Sequence, residues 1–275
     1  MGLTGIQIFK LLPKTNCGEC GVPTCLAFAM NLAAGKAELE KCPYVSDESK
    51  EKLASESAPP IRPLTIGTGE YAVKIGGETV LFRHEKTFVN PPGLAVMVTT
   101  DEDNASVAGK IERFKKAQFE RVGIKMRPEL FAIRDTNGEA ARFCALAKVI
   151  SDETGAGLIF MSESIDVLTS AVDSFKDRKP LLYAATADNI EALGNLAKAA
   201  ACPIAVKGDG SFESIIALTE KLSAMGLKDI VIDTGTRDLK TAFKEQVVIR
   251  RAALKDRVRA LGSPTIVMAN EMADD

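Results

Sequence analysis

From residue 94 to residue 268 the chain repeats one pattern, a short apolar run followed by a stretch with helical periodicity. The runs fall at 94–98, 130–133, 158–161, 181–184, 204–206, 230–232 and 265–268. The helical stretches after the first six cover about 106–121, 139–153, 165–175, 190–200, 212–225 and 239–261. Runs so short and so apolar read as strands buried on both faces, and strands alternating with helices are joined by right-handed crossovers into a parallel sheet. Gly155, Gly157, Gly226 and Gly262 stand just before the next run, where helix-ending glycines belong. An open doubly wound sheet commonly carries a glycine-rich phosphate loop after its first strand. Here the first run leads into Thr99-Thr100-Asp101-Glu102-Asp103, and the next glycine is Gly109. A strand spacing of roughly 25 to 35 residues suits an eightfold barrel. The sequence therefore predicts an α/β fold with a TIM-type (β/α) barrel over 94–275. Seven strands are visible and the eighth is missing, so the carboxyl end is expected to be incomplete.

Ahead of this body lie two further segments. Residues 58–93 read as a linker and β-hairpin region. Ala58-Pro59-Pro60-Ile61-Arg62-Pro63 is a stiff, extended connector, and Gly76-Gly77 is the expected turn between strands at 73–75 and 79–82. Residues 1–57 read as a small separate domain containing four of the six cysteines. Cys17, Cys20, Cys25 and Cys42 are spaced C-x2-C-x4-C-x16-C, with Gly18 and Gly21 free to turn the backbone tightly and aim N–H groups at sulfur. The stretch 26–40 is rich in Ala and Leu and is expected to be a helix, interrupted late by Gly35, that returns the chain to Cys42-Pro43.

Disulfides would need an oxidising compartment, for which nothing in the chain argues. Four cysteines also suit tetrahedral zinc, but zinc ribbons usually pair two C-x-x-C knuckles, and here Cys25 and Cys42 stand apart. The spacing favours a 4Fe–4S cluster, with structural zinc as the competing occupant. Cys144 and Cys202 sit among apolar neighbours and read as small core residues.

Composition removes several other classes. With 35 basic and 37 acidic residues, the net charge of −2 gives no basic footprint for nucleic acid. No apolar run approaches the roughly 18 residues that a membrane helix requires. The opening MGLTGIQIFKLLPK carries neither a basic leader nor a small-residue cleavage site, so the expected location is cytoplasmic. A lone histidine, His84, argues against Ser-His-Asp catalysis and multi-imidazole metal sites. At the carboxyl ends of the strands stand Thr99, Thr100, Asp101, Arg134, Asp135, Ser162, Glu163, Asp233, Thr234, Asn270 and Glu271. That is the working face of a parallel barrel. Ser164, Asp188, Ser211 and Thr236 are read there as helix N-caps, and 207–211 (KGDGS) as a candidate cradle for phosphate or carboxylate. No catalytic residue is assigned.

The segment from Asn16 to Ala29, NCGECGVPTCLAFA, together with Lys41-Cys42-Pro43-Tyr44 and a barrel body behind it, resembles the large (gamma) subunits of the corrinoid/iron–sulfur protein of the acetyl-CoA decarbonylase/synthase system. The resemblance implies a 4Fe–4S cluster on Cys17, Cys20, Cys25 and Cys42, a (β/α)8 barrel, and a carboxyl-terminal domain that binds cobalamin. It also implies a heterodimer with a smaller barrel subunit. In that family a methyl group passes from a methyl-tetrahydropterin, by way of a pterin methyltransferase and cobalamin, to acetyl-CoA synthase, and the cluster supplies the electron that returns Co(II) to Co(I). The chain is thus expected to be a corrinoid methyl-carrier subunit, a methyltransferase component that depends on partner proteins, with the cobalamin domain outside these residues. An independent pterin-dependent methyltransferase barrel with an iron–sulfur module, and a zinc-stabilised structural adaptor, are the alternative readings.

Overall fold

The computed structural model describes residues 4–33, 36–50, 53, 59–82, 84–86 and 89–272. Backbone contacts divide the chain into two units, Met1–Pro59 and Pro60–Asp275.

The first unit is built on two helices. Helix α1 (Gly5–Leu11) starts in a reciprocal capping box between Thr4 and Gln7. Helix α2 (Cys25–Ala33) starts after Thr24, whose Oγ1 accepts the N–H of Ala27 at 3.1 Å. The helices meet at Gly5, where any Cβ would strike the Sδ of Met30. Ile8, Leu12, Phe28, Ala29, Val45 and Leu53 form the unit's core together with two cysteines, Cys25 and Cys42. The helix expected over 26–40 is shorter than its composition suggested. It ends at Ala33, and a 3-10 turn at Leu39–Lys41 then delivers Cys42. Gly35 and most of 51–58 lie outside the described residues.

The second unit opens with an antiparallel pair, β1 (Leu64–Ile66) and β2 (Val73–Ile75), in the register Leu64↔Ile75 and Ile66↔Val73. This corrects the hairpin expected at Gly76-Gly77. The partner of 73–75 precedes it, and 79–82 is not a strand. The carbonyls of Val80 and Leu81 are instead taken by the Arg250 guanidinium, at 2.7 and 3.1 Å, which satisfies that backbone without a ladder.

Next comes the alternating body. Strand β3 (Ala95–Thr99) leads to α3 (Asn104–Lys116) and then to a short hairpin, β4 (Phe119–Arg121) and β5 (Ile124–Met126). Strand β6 (Leu130–Arg134), α4 (Ala140–Thr154), β7 (Gly157–Met161) and α5 (Ile165–Phe175) follow. The series ends with β8 (Leu181–Ala185), α6 (Ile190–Ala200), β9 (Ile204–Lys207), α7 (Phe212–Ala224), β10 (Ile230–Asp233) and α8 (Leu239–Arg251). Six of these strands form one parallel sheet in the order β10-β9-β8-β7-β6-β3. The helical reading of 106–121 overran, since helix gives way to the hairpin after Lys116.

The seventh predicted run joins through a single bridge, Thr265 to Ile232. Pro264 accepts the N–H of Ile232 at 2.8 Å but has no N–H to return, so pairing does not extend on that side.

Side chains alternate along the strands with a period of two. Phe131, Ile133, Phe160, Leu182 and Val206 point into the layer beneath the helices. Leu130, Ala132, Ile159, Leu181 and Val231 point the other way, where Leu64, Ile66 and Val73 of the β1–β2 pair cover them. Both faces of the sheet are therefore buried, as the continuous apolar runs required.

Candidate metal centre

Between α1 and α2 the backbone turns through four left-handed residues, Lys14 (φ 60), Asn16 (φ 50), Gly18 (φ 77) and Gly21 (φ 85). The N–H of Gly21 donates to the Gly18 carbonyl at 3.0 Å, closing the turn that carries Cys20. This loop brings three cysteines into 17–25, and Cys25 is the first residue of α2. All four head cysteines are free thiols; Cys17 is exposed, Cys20 half-buried, and Cys25 and Cys42 buried. Cys20 packs against the same small core that contains Cys25 and Cys42.

Two polar contacts organise the loop. The N–H of Cys25 donates to Asn16 Oδ1 at 2.8 Å, while the N–H of Asn16 donates to Cys25 Sγ at 3.4 Å. Tyr44 donates its phenol proton to Glu19 Oε1 at 2.8 Å. That bond, and then the Glu19 charge, raise the phenol's pKa.

Among the described residues no three Cys, His, Asp or Glu side chains are gathered into one ligand sphere. The donor set nonetheless fits a sulfur-ligated metal centre: four free thiols in one small unit, three beside its core, on a loop whose turns permit close backbone approach to sulfur.

The carboxyl ends of the body strands hold a second polar cluster. Asp233, with 1% of its surface exposed, accepts from Tyr183 Oη at 2.5 Å, from the N–H of Gly235 at 2.8 Å, and from Arg237 at 2.9 and 3.1 Å. Arg237 Nε also donates to Glu271 at 2.6 Å, and Arg134 donates to the other oxygen of Glu271. Burial pushes the Tyr183 phenol up, reinforced by Asp233. Burial would also raise the Glu271 carboxyl, but hydrogen bonds from Arg134 and Arg237 outweigh it and hold the group below its usual range. Two carboxylates and two guanidiniums neutralise one another, so the cluster ties strand ends together. Arg134, Asp233 and Glu271 were legible from the sequence as residues at strand ends, whereas Tyr183, hidden in an apolar strand, and Arg237, four residues beyond Asp233, were not.

Other expectations at this face divide. Ser164 and Ser211 cap α5 and α7 as read from sequence. Asp188 does not cap α6, because Asn189 occupies that position, and α8 is capped by Asp238 while Thr236 donates to Glu245 at 2.9 Å. The 207–211 loop does not present a phosphate cradle. The N–H groups of Gly208, Gly210 and Ser211 go to the Asp233 carbonyl, the Thr234 carbonyl and Asp209, at 2.9, 3.0 and 3.0 Å. Cys202 is a core residue whose thiol burial pushes up to about 11, and burial likewise raises the half-buried Cys144. An apolar cavity of about 780 Å³ lies on the face of the sheet opposite the helices, lined in part by Met97, Leu130, Val231, Ile266 and Met268. No described helix is long and apolar enough to cross a membrane.

Comparison with known proteins adds two family matches. Residues 63–273 match the family model for the "CO dehydrogenase/acetyl-CoA synthase delta subunit", and residues 12–44 match one described as "Putative Fe-S cluster". The chain is 44% identical, over 98% of its length and 60% of the relative's, to the corrinoid/iron-sulfur protein large subunit of Moorella thermoacetica. It is 32% identical, over 93% of its length, to the acetyl-CoA decarbonylase/synthase complex subunit gamma of Methanothermobacter thermautotrophicus, covering 56% of that protein. It is 39% identical, over 90% of its length, to the gamma 1 subunit from Methanosarcina thermophila, covering 55% of it. The chain thus spans somewhat more than half the length of these relatives.

Proposed function

Because the chain belongs to the CO dehydrogenase/acetyl-CoA synthase delta subunit family, we propose that it is the iron–sulfur and barrel portion of a corrinoid methyl carrier. In this reading residues 1–57 are the cluster-binding domain, 58–93 the connecting region and 94–275 the (β/α) body. Cys17, Cys20, Cys25 and Cys42 hold a 4Fe–4S cluster, whose chemistry when bound is one-electron transfer at low potential, of the kind that returns Co(II) to Co(I). The carrier passes a methyl group from a methyl-tetrahydropterin, through cobalamin, to acetyl-CoA synthase in the cytoplasm. Its partners are a smaller corrinoid-protein subunit and the pterin methyltransferase. No residue of this chain is assigned to cobalamin.

The observation that carries this reading is the pairing, in one chain, of the four-thiol head matched over 12–44 with the family body matched over 63–273. Within the head, Gly18 and Gly21 turn the backbone around the centre, and the buried Cys25 and Cys42 would shield it from water on the core side. A TIM-type closure of the body is supported by six parallel strands taken in chain order, each followed by a helix. It is also supported by the apolar cavity between β3 and the 264–270 segment, which a strand paired to both would fill.

Anaerobic purification with metal and sulfide analysis tests the proposal. The expected result is about four iron and four sulfide per chain and no zinc. Zinc in place of iron would overturn the redox reading. Cobalt should bind once the remaining length seen in the relatives is supplied. Methyl transfer by these 275 residues without cobalt would instead identify an independent methyltransferase.

A further inference from the structure

We propose that Asn16 is a positioning residue for the sulfur centre, a two-point clasp that holds Cys25 Sγ against a backbone N–H and thereby raises the potential of a cluster bound there. The inference rests on the assignment of Cys25 as a ligand and names a residue that the cysteine spacing does not.

Asn16 is left-handed (φ 50), a conformation asparagine tolerates better than other non-glycine residues, so the turn alone would explain its presence. The turn does not explain the side chain. Oδ1 accepts the N–H of Cys25 at 2.8 Å, one of the donors left without an intrahelical partner at the start of α2. The ordinary cap of that helix is already supplied by Thr24, which serves Ala27 at 3.1 Å. Asn16 therefore adds a second tie, directed at the cysteine itself. In return its own N–H points at Cys25 Sγ, at 3.4 Å. Two bonds running in opposite directions between residues nine apart fix the position of the sulfur more tightly than either alone. Cys25 is only 5% exposed, so water competes weakly for the N–H···S contact. A donor held against a ligand sulfur favours the more negative, reduced form of a cluster, and hydrogen bonds to sulfur are among the factors that set cluster potentials.

Asn16→Gly tests this in the whole chain, because glycine keeps the backbone N–H and accepts the positive φ but removes Oδ1. The midpoint potential, read by EPR-monitored titration, is expected to fall below wild type, and iron should pass to a chelator faster. Asn16→Asp, which keeps an oxygen acceptor, should restore the wild-type rate of iron loss. Thr24→Ala, which weakens the helix but spares the clasp, should leave the midpoint unchanged. A wild-type midpoint and iron retention in Asn16→Gly overturns the proposal, as does an equal shift in Thr24→Ala. If Asn16→Gly assembles no cluster, Asn16→Ala, which also removes Oδ1 and keeps the backbone N–H, gives the same reading, and an unshifted midpoint there is equally fatal. Wild-type protein without iron would overturn the ligand assignment and the clasp together. Full iron with an unmoved Asn16→Gly midpoint overturns the clasp alone.

Discussion

At the residue scale, the most consequential charge in the body is Asp233. Its carboxylate is removed from water, and its partners are Tyr183, the N–H of Gly235 and the Arg237 guanidinium. Removing one partner of a buried ion pair strands the other, which costs about 3 to 5 kcal/mol, whereas deleting one hydrogen bond to a charged group costs about 1.5 to 3 kcal/mol. Arg237→Met should therefore lower the urea midpoint of the body more than Tyr183→Phe does. A larger loss in Tyr183→Phe would show that Asp233 is not held mainly by the guanidinium. The same variant tests the acid limb of stability. Glu271 has a folded pKa below its ordinary 4.5, so its contribution is complete above about 4.5 and disappears as pH falls through the lower folded value. Arg237→Met removes one of the two guanidiniums that depress it, so the loss of stability on acidification should be shallower than in wild type. Arg134, Asp233 and Glu271 were legible as residues at strand ends, but their mutual pairing was not. The contact from Arg134 to Glu271 spans 137 positions and depends on the sheet having formed.

At the element scale, the repeated strand–helix order was readable because both faces of the sheet are buried, which leaves uninterrupted apolar runs. The β4–β5 hairpin was not readable, since every residue from Phe119 to Arg121 and from Ile124 to Met126 is exposed and no burial pattern marks it. The misplaced hairpin at Gly76-Gly77 failed for a different reason, because Arg250, about 170 positions away, satisfies the segment that local pattern read as a strand. The most informative edge is that of β3 facing away from β6. There Lys110 Nζ donates to the Met97 carbonyl at 2.8 Å and to Glu102 at 2.6 Å, while Glu102 accepts the Thr99 N–H at 2.9 Å. This pair satisfies two backbone groups at the carboxyl end of that edge, the Met97 carbonyl and the Thr99 N–H. Lys110→Met keeps the apolar stem and removes both bonds, so a loss of about 1 to 3 kcal/mol is expected in urea unfolding at neutral pH. Burial raises the Glu102 carboxyl, but bonds led by Lys110 lower it below 4.5, so the difference from wild type should shrink as pH falls through that lowered value. A difference that stays constant into acid would mean that the loss came from packing, with the ion pair contributing little.

At the scale of the whole molecule, the two units are unequal in how they can be stabilised. The body buries a large apolar core on both sides of its sheet. The head has eight buried core residues among those described, and two of them are the proposed ligands Cys25 and Cys42. A unit of about 60 residues buries too little surface to be robust by apolar contact alone, and small domains commonly rely on metal to compensate. Ligation would then be part of folding in the head and irrelevant to the body, since a group that binds only the native state stabilises the unit that holds it. Thermal unfolding of the iron-loaded chain should accordingly show two transitions, the smaller from the head. Iron removal by a chelator, or Cys20→Ala, should shift or abolish that smaller transition and leave the larger within about 1 °C, because an independent site contributes additively. Calorimetry beside visible absorption would record both effects on one sample. If Cys20→Ala lowers the larger transition by several degrees, the body depends on the metal centre, and the four cysteines belong to one cooperative fold with the strands that follow them.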